Sequence, residues 1–139
     1  MMAWTLKTPW DKLTINNDLS AAHPVLQEKV LAVVADVNAH LDTTKVRVGV
    51  FEVLRSLKRQ HKLVADGVSW TLRSKHILGR AADIVPQVFR KGRWQWTWET
   101  IRANDGRTIW ELIESSARAH GLDRVRGDYP HVQLDEDVE

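Results

Sequence analysis

Ser74-Lys75-His76-Ile77-Leu78-Gly79-Arg80-Ala81-Ala82-Asp83 is the stretch on which the fold turns. Its histidine and aspartate stand seven positions apart, with Gly79 between them. Neighbours on one helix face lie three or four residues apart, so this spacing does not bring the two side chains together on a helix. It suits a turn that doubles back into a strand, and Gly79 permits the backbone such a turn needs. Ala81-Ala82-Asp83-Ile84-Val85 then reads as a short buried strand stopped by Pro86. A carboxylate inside an apolar strand is costly unless it is paired or bound to a metal. Two readings stand side by side here: a metal site, or a surface histidine beside an aspartate that caps a turn.

Upstream, the periodicity predicts a scaffold helix from His23 to Leu41. Leu26, Val30, Val33, Val34, Val37 and Leu41 repeat at steps of three and four, and Pro24 suits the first turn. Residues 1–22 are polar and irregular, an expected loosely ordered arm that packs onto the domain by Trp4 and Trp10. Lys45–Leu54 alternates, with Val46, Val48 and Val50 against Lys45, Arg47 and Gly49, which predicts a strand with one buried face. A helix follows over about Leu57–Asp66, with Gly67 as its stop, and Val68–Arg73 is an expected loop.

Downstream, Val88–Trp96 reads as a hairpin turning at Lys91-Gly92. Trp94, Trp96 and Trp98 fall on alternate positions, either as packing surface or as the ring-lined wall of a groove. Arg107–His120 is a second amphipathic helix ended by Gly121, with His120 at its C-terminus and not a ligand. Strands are expected near Arg124-Val125-Arg126 and at His131–Asp135, before an acidic tail that frays. The organisation is thus an arm at 1–22, one domain at 23–135 and a tail at 136–139.

Composition sets the limits. At 139 residues, 43% hydrophobic and 27% charged, the chain is long enough for a single core. There is no cysteine, so a metal must be held by histidines and carboxylates. The longest apolar run, Val30–Ala35, is too short to span a bilayer, and Met1–Lys7 has no signal-peptide core. The sequence therefore predicts a product made in the cytoplasm, with no membrane insertion. Net charge is +2, and four acids, Asp135, Glu136, Asp137 and Glu139, crowd the end. Arg55, Lys58, Arg59, Lys62, Arg73, Lys75 and Arg80 form either a solvated face or a surface for a polyanion, nucleic acid or wall polymer.

Ser74-x-His76-x-x-Gly79-x-Ala81-x-Asp83 resembles the signature of zinc peptidoglycan peptidases of the D-alanyl-D-alanine peptidase/Hedgehog-like fold. Asp128-Tyr129-Pro130-His131 resembles their second block, an acid three residues before a histidine, and Arg55-Ser56 with Gln60 resembles a third. The likeness covers roughly Val50–Pro86 and Asp128–Leu134. It implies an α+β single domain, a small antiparallel sheet with two or three packed helices. It also implies a zinc ion held by His76, Asp83 and His131, with Asp128 as general base and Arg55 stabilising developing negative charge. Ser74 would bond substrate.

The string Glu-x-x-Trp-His of the D,D-dipeptidases is absent, so the chain looks most like phage-type L-alanyl-D-glutamate endopeptidases. The implied partner is the bacterial peptidoglycan stem peptide, acted on by a monomer at the cell wall, and not nucleic acid. A D,D-carboxypeptidase of the same fold, or a non-catalytic zinc-bearing wall-binding domain, is the alternative.

Overall fold

The structure, a computed structural model, describes Trp4, residues 12–71 and residues 74–138. Three helices, α1 (Pro24–Asn38), α2 (Leu57–Ala65) and α3 (Ile109–Ala119), are combined with strands β1 (Val46–Glu52), β2 (Ala81–Arg90), β3 (Arg93–Trp96), β4 (Leu122–Arg124) and β5 (His131–Leu134). The strands form one antiparallel sheet in the order β1-β2-β5-β4, with β3 on β2. This is the α+β domain that the sequence predicts.

β2 is the spine. One of its edges carries β1, and the other carries β5 along Ala81–Asp83 and β3 along Gln87–Arg90. It runs through Pro86, where the sequence predicts a stop. The reason lies in which way the missing N–H points. Thr97 N–H donates to the Pro86 carbonyl and Ile84 N–H to Pro130, so even-numbered residues face the β5/β3 edge. Pro86 falls in the seam between those two partners and removes no bond from the β1 ladder.

The face bearing Ala82, Ile84 and Val132 packs against α1 and α3, whose Leu26, Val30, Val33, Ile109, Ile113 and Ala117 complete the core. α1 starts at Pro24 with the buried His23 as its cap, accepting from Val25 N–H. α3 is fixed by a capping box, Thr108 and Glu111 each satisfying the other's backbone N–H, which satisfies donors a helix start otherwise leaves open. The hairpin turns at Lys91-Gly92, both at positive φ (54° and 77°), as a two-residue turn matched to strand twist requires.

Three other boundaries differ from the sequence reading. The penultimate strand is Leu122–Arg124, two residues earlier than Arg124–Arg126, because it pairs with Val132–Leu134. The segment before α1 is tied down: Val53 N–H donates to Asn16, Ser56 Oγ to Lys12, and Trp4 packs on the His23 ring at 5.3 Å. Trp10 lies outside the described residues. Beyond β5, Val138 packs against the core and its carbonyl accepts from Arg80, so this stretch is anchored.

Candidate active site

The opposite face of the sheet holds a row of polar side chains. Asp83 of β2 stands directly opposite His131 of β5, and Ala81 opposite Gln133, so Asp83, His131 and Gln133 project to one side. On the other flank, β1 carries a bulge: Val50 pairs with Ile84, yet Glu52 pairs with Asp83. The extra residue turns Glu52 out of the alternation that begins at Val46 and onto the face of Asp83. Strict period-two reading assigns Glu52 to the core side, which is why the sequence did not single it out.

His76 arrives from a short 3-10 turn, Lys75–Leu78, capped by the Ser74 hydroxyl accepting from His76 N–H and closed by Gly79 at φ 67°. The turn docks on the segment after β1 through two bonds. Arg55 N–H donates to the His76 carbonyl at 3.0 Å, and His76 Nδ1–H donates to the Val53 carbonyl at 2.6 Å. That second bond fixes the tautomer, so in the neutral ring Nε2 is a bare lone pair. It points at Asp83 Oδ1, 3.2 Å away.

His131 is arranged the same way in mirror order. Its Nε2–H donates to Gln133 Oε1 at 2.8 Å, which leaves Nδ1 bare and 3.7 Å from Asp83 Oδ1. Two nitrogen lone pairs thus converge on one carboxylate oxygen, an arrangement of acceptors that repel unless a proton or a cation sits among them. The separations of 3.2 and 3.7 Å bracket the edge of about 3.4 Å of a tetrahedron with bonds near 2.1 Å. His76 and His131 are buried, and the group could hold a metal ion.

Electrostatics agree with that geometry. Burial pushes the Asp83 carboxyl up, but the adjacent His76 and His131 imidazoles outweigh it and hold the group far below the usual carboxylate range. Burial pushes the His131 ring down, and its bond to Asp83 more than reverses this, so its pKa is raised. Asp128, on the turn before β5, lies with Oδ2 3.8 Å from His131 Nδ1. Burial and the Asp83 charge raise its carboxyl above the ordinary value. A carboxylate placed there and biased towards holding a proton is suited to proton transfer.

Arg55 is buried, and its guanidinium is committed: Nη1 donates to Gln60 Oε1 and Nη2 to Glu52 Oε1, each at 2.8 Å. Nη2 also lies 3.6 Å from Asp83 Oδ2, so Arg55 backs the aspartate. Arg59 takes the remaining Glu52 oxygen at 2.5 Å. The basic stretch is therefore no continuous free face: Lys62 pairs with Asp66 and Lys75 with Glu136, while Arg73 lies outside the described residues. His120 is not brought to this site and instead bonds Asp36 at 2.9 Å.

All six residues singled out in the sequence, Arg55, Ser74, His76, Asp83, Asp128 and His131, line one cleft of about 520 Å³. Sequence reasoning missed Glu52 and Gln133. Gln133 had a legible signal, since it stands two residues past His131 on the same strand face.

The family model of phage L-alanyl-D-glutamate peptidases matches residues 15–129. The chain belongs to that family. The peptidase is also similar in structure to the L-Ala D-Glu endopeptidase ChiX of Serratia marcescens, with 30% sequence identity and a TM-score of 0.51. That match covers 85% of this chain and 84% of ChiX. No curated relative matches it in sequence. The peptidase is a peptidoglycan hydrolase, an endopeptidase of the phage type. The family match ends at residue 129, so His131 joins the site through the β2–β5 register rather than through the matched segment.

Proposed function

We propose that the peptidase is a zinc enzyme that cleaves the L-alanyl–D-glutamate bond of the peptidoglycan stem peptide. The observation that carries this reading is the pair of bare imidazole nitrogens converging on Asp83, with Asp128 alongside, in a chain of this family. His76 Nε2, His131 Nδ1 and Asp83 would hold the ion, and three protein ligands are what catalytic zinc sites commonly supply. A zinc ion there supplies a polarised scissile carbonyl and a more acidic water.

The chain's own groups do the rest. Asp128 takes the proton of the attacking water as the C–O bond forms and the carbonyl electron pair moves onto oxygen; it then passes that proton to the amine of glutamate, the C–N bond breaks and the carbonyl re-forms. The fixed positive charge of Arg55 favours the negative charge that develops on the carbonyl oxygen. Ser74 caps the turn that presents His76, and its place on the cleft wall suits a bond to substrate.

Among the described residues no helix is long and apolar enough to cross a membrane, and membership of the family supports action at the cell wall. Digestion of purified sacculi by zinc-loaded protein, followed by mass analysis, tests the bond. New N-terminal glutamate is the expected product. Release of D-alanine alone would overturn the reading in favour of a D,D-carboxypeptidase. Elemental analysis should find one zinc per chain, and His76→Ala should abolish it; undiminished zinc in that variant would remove His76 from the ligand set.

A further inference from the structure

Two indoles stand open on the cleft wall. Trp70 is 70% exposed and Trp98 53%, and both line the cavity that contains His76, Asp83, Asp128 and His131. Val68, 69% exposed, lies on the same wall. Apolar surface concentrated beside a polar centre marks a place where something binds.

The Trp98 ring is held from behind, and the segment carrying Trp70 is anchored. Trp98 rests edge-on against Phe51, with centroids 5.0 Å apart at 83°. Phe51 comes from the bulged end of β1, which places it beside Glu52. Trp70 is flanked by two residues bonded to one side chain: Gln60 Nε2 donates to Ser69 Oγ at 3.0 Å and to the Thr71 carbonyl at 2.5 Å. Gln60 is fully buried and its Oε1 accepts from Arg55. The segment carrying Trp70 is therefore built onto the same framework that orients Arg55.

Among the described residues lining the cleft, the cationic side chains have acidic partners. Arg55 and Arg59 are paired with Glu52, and Lys75 lies against Glu136. What this wall offers a ligand is flat ring surface with polar groups at its edges, which suits a saccharide, whose C–H face is apolar and whose hydroxyls stay wet. An anionic polymer would need free cations instead.

The proposed substrate contains such a group within reach. In peptidoglycan the L-alanine at the head of the stem peptide is joined to the lactyl group of a muramyl sugar, one residue from the scissile bond. The alanine methyl and the acidic residues beyond it offer nothing large enough to cover two indoles. We propose that Trp70 and Trp98 form a subsite for this muramyl saccharide on the acyl side of the bond, an inference that rests on the L-alanyl–D-glutamate endopeptidase reading.

The test compares two soluble substrates with the same stem peptide. One carries the disaccharide on L-alanine, and the other carries only an N-acetyl group there. Zinc-loaded wild-type protein should favour the glycosylated substrate in kcat/KM by about tenfold or more, the equivalent of a modest ring-stacking gain. Trp70→Ala and Trp98→Ala should each bring that ratio towards unity, through loss on the glycosylated substrate. A wild-type ratio near unity overturns the subsite. So does an equal loss on both substrates, which would make the rings mere supports for Arg55. Failure to cleave either substrate between L-alanine and D-glutamate would instead sink the endopeptidase reading, and the subsite with it.

Discussion

A neutral imidazole has one N–H and one lone pair, so whatever takes the N–H decides where the lone pair points. Here the Val53 carbonyl makes that choice for His76 and the Gln133 amide oxygen makes it for His131. Partners of this kind usually tune metal affinity by 10–100-fold, so Gln133→Leu should weaken zinc binding by roughly that factor while the fold survives. Competition with a zinc chelator measures it, and an unchanged affinity would show that His131 needs no orienting partner. Asp128 is different in kind, since it lies beside the proposed ligands without needing to be one. Asp128→Asn should keep zinc and structure and lower kcat by roughly 10² to 10⁴. Near-normal turnover in the zinc-loaded variant would leave Asp128 with no more than its place in the turn.

At the level of elements, the bulge in β1 matters most. It sets Glu52 beside Asp83, where the carboxylate is 2% exposed and shared between two guanidinium groups. Removing one partner of a buried ion pair typically costs on the order of 3–5 kcal/mol, because the other charges stay buried. Losing a helix cap costs about 1 kcal/mol. Glu52→Ala should therefore lower unfolding free energy well beyond Thr108→Ala, measured by urea denaturation of the two variants side by side. Equal losses would mean that Arg55 and Arg59 find water once Glu52 is gone. The same bulge marks the limit of what the sequence discloses. Helices α1 and α3 were legible because apolar spacing and caps are local signals, and Lys91-Gly92 announced its turn. His76, Asp83 and His131 were picked out by the resemblance of two short motifs to a known family, spacing alone leaving a turn-capping reading open, and the fold brings the three together. Glu52 was not, since an inserted residue in a ladder leaves no mark in the alternation. Nor was the passage of β2 through Pro86, which depends on which neighbours flank the strand at that point.

For the whole molecule, a metal bound at this site would tie stability to pH and to the ion together. His131 has a raised pKa, so the stability this gives is fully present below about 6.5, the ordinary histidine value, and is lost as pH rises through the raised one. Asp83 runs the other way, its contribution present above the ordinary carboxylate value of about 3.9 and lost as pH falls through its lowered one. Between these limits a proton on His131 partly does what a cation would do, by separating lone pairs that face one carboxylate. Zinc must displace that proton, so binding strengthens as pH rises. A ligand at 100 times its Kd adds about 2.7 kcal/mol to the folded state, and acidification erodes this by raising the apparent Kd. The thermal midpoints of zinc-loaded and chelator-treated protein should therefore lie close together near pH 5 and diverge steadily towards pH 8. Scanning calorimetry across that range measures the gap. A gap independent of pH would mean that the ion binds away from His76 and His131, and that the converging imidazoles are a proton site alone.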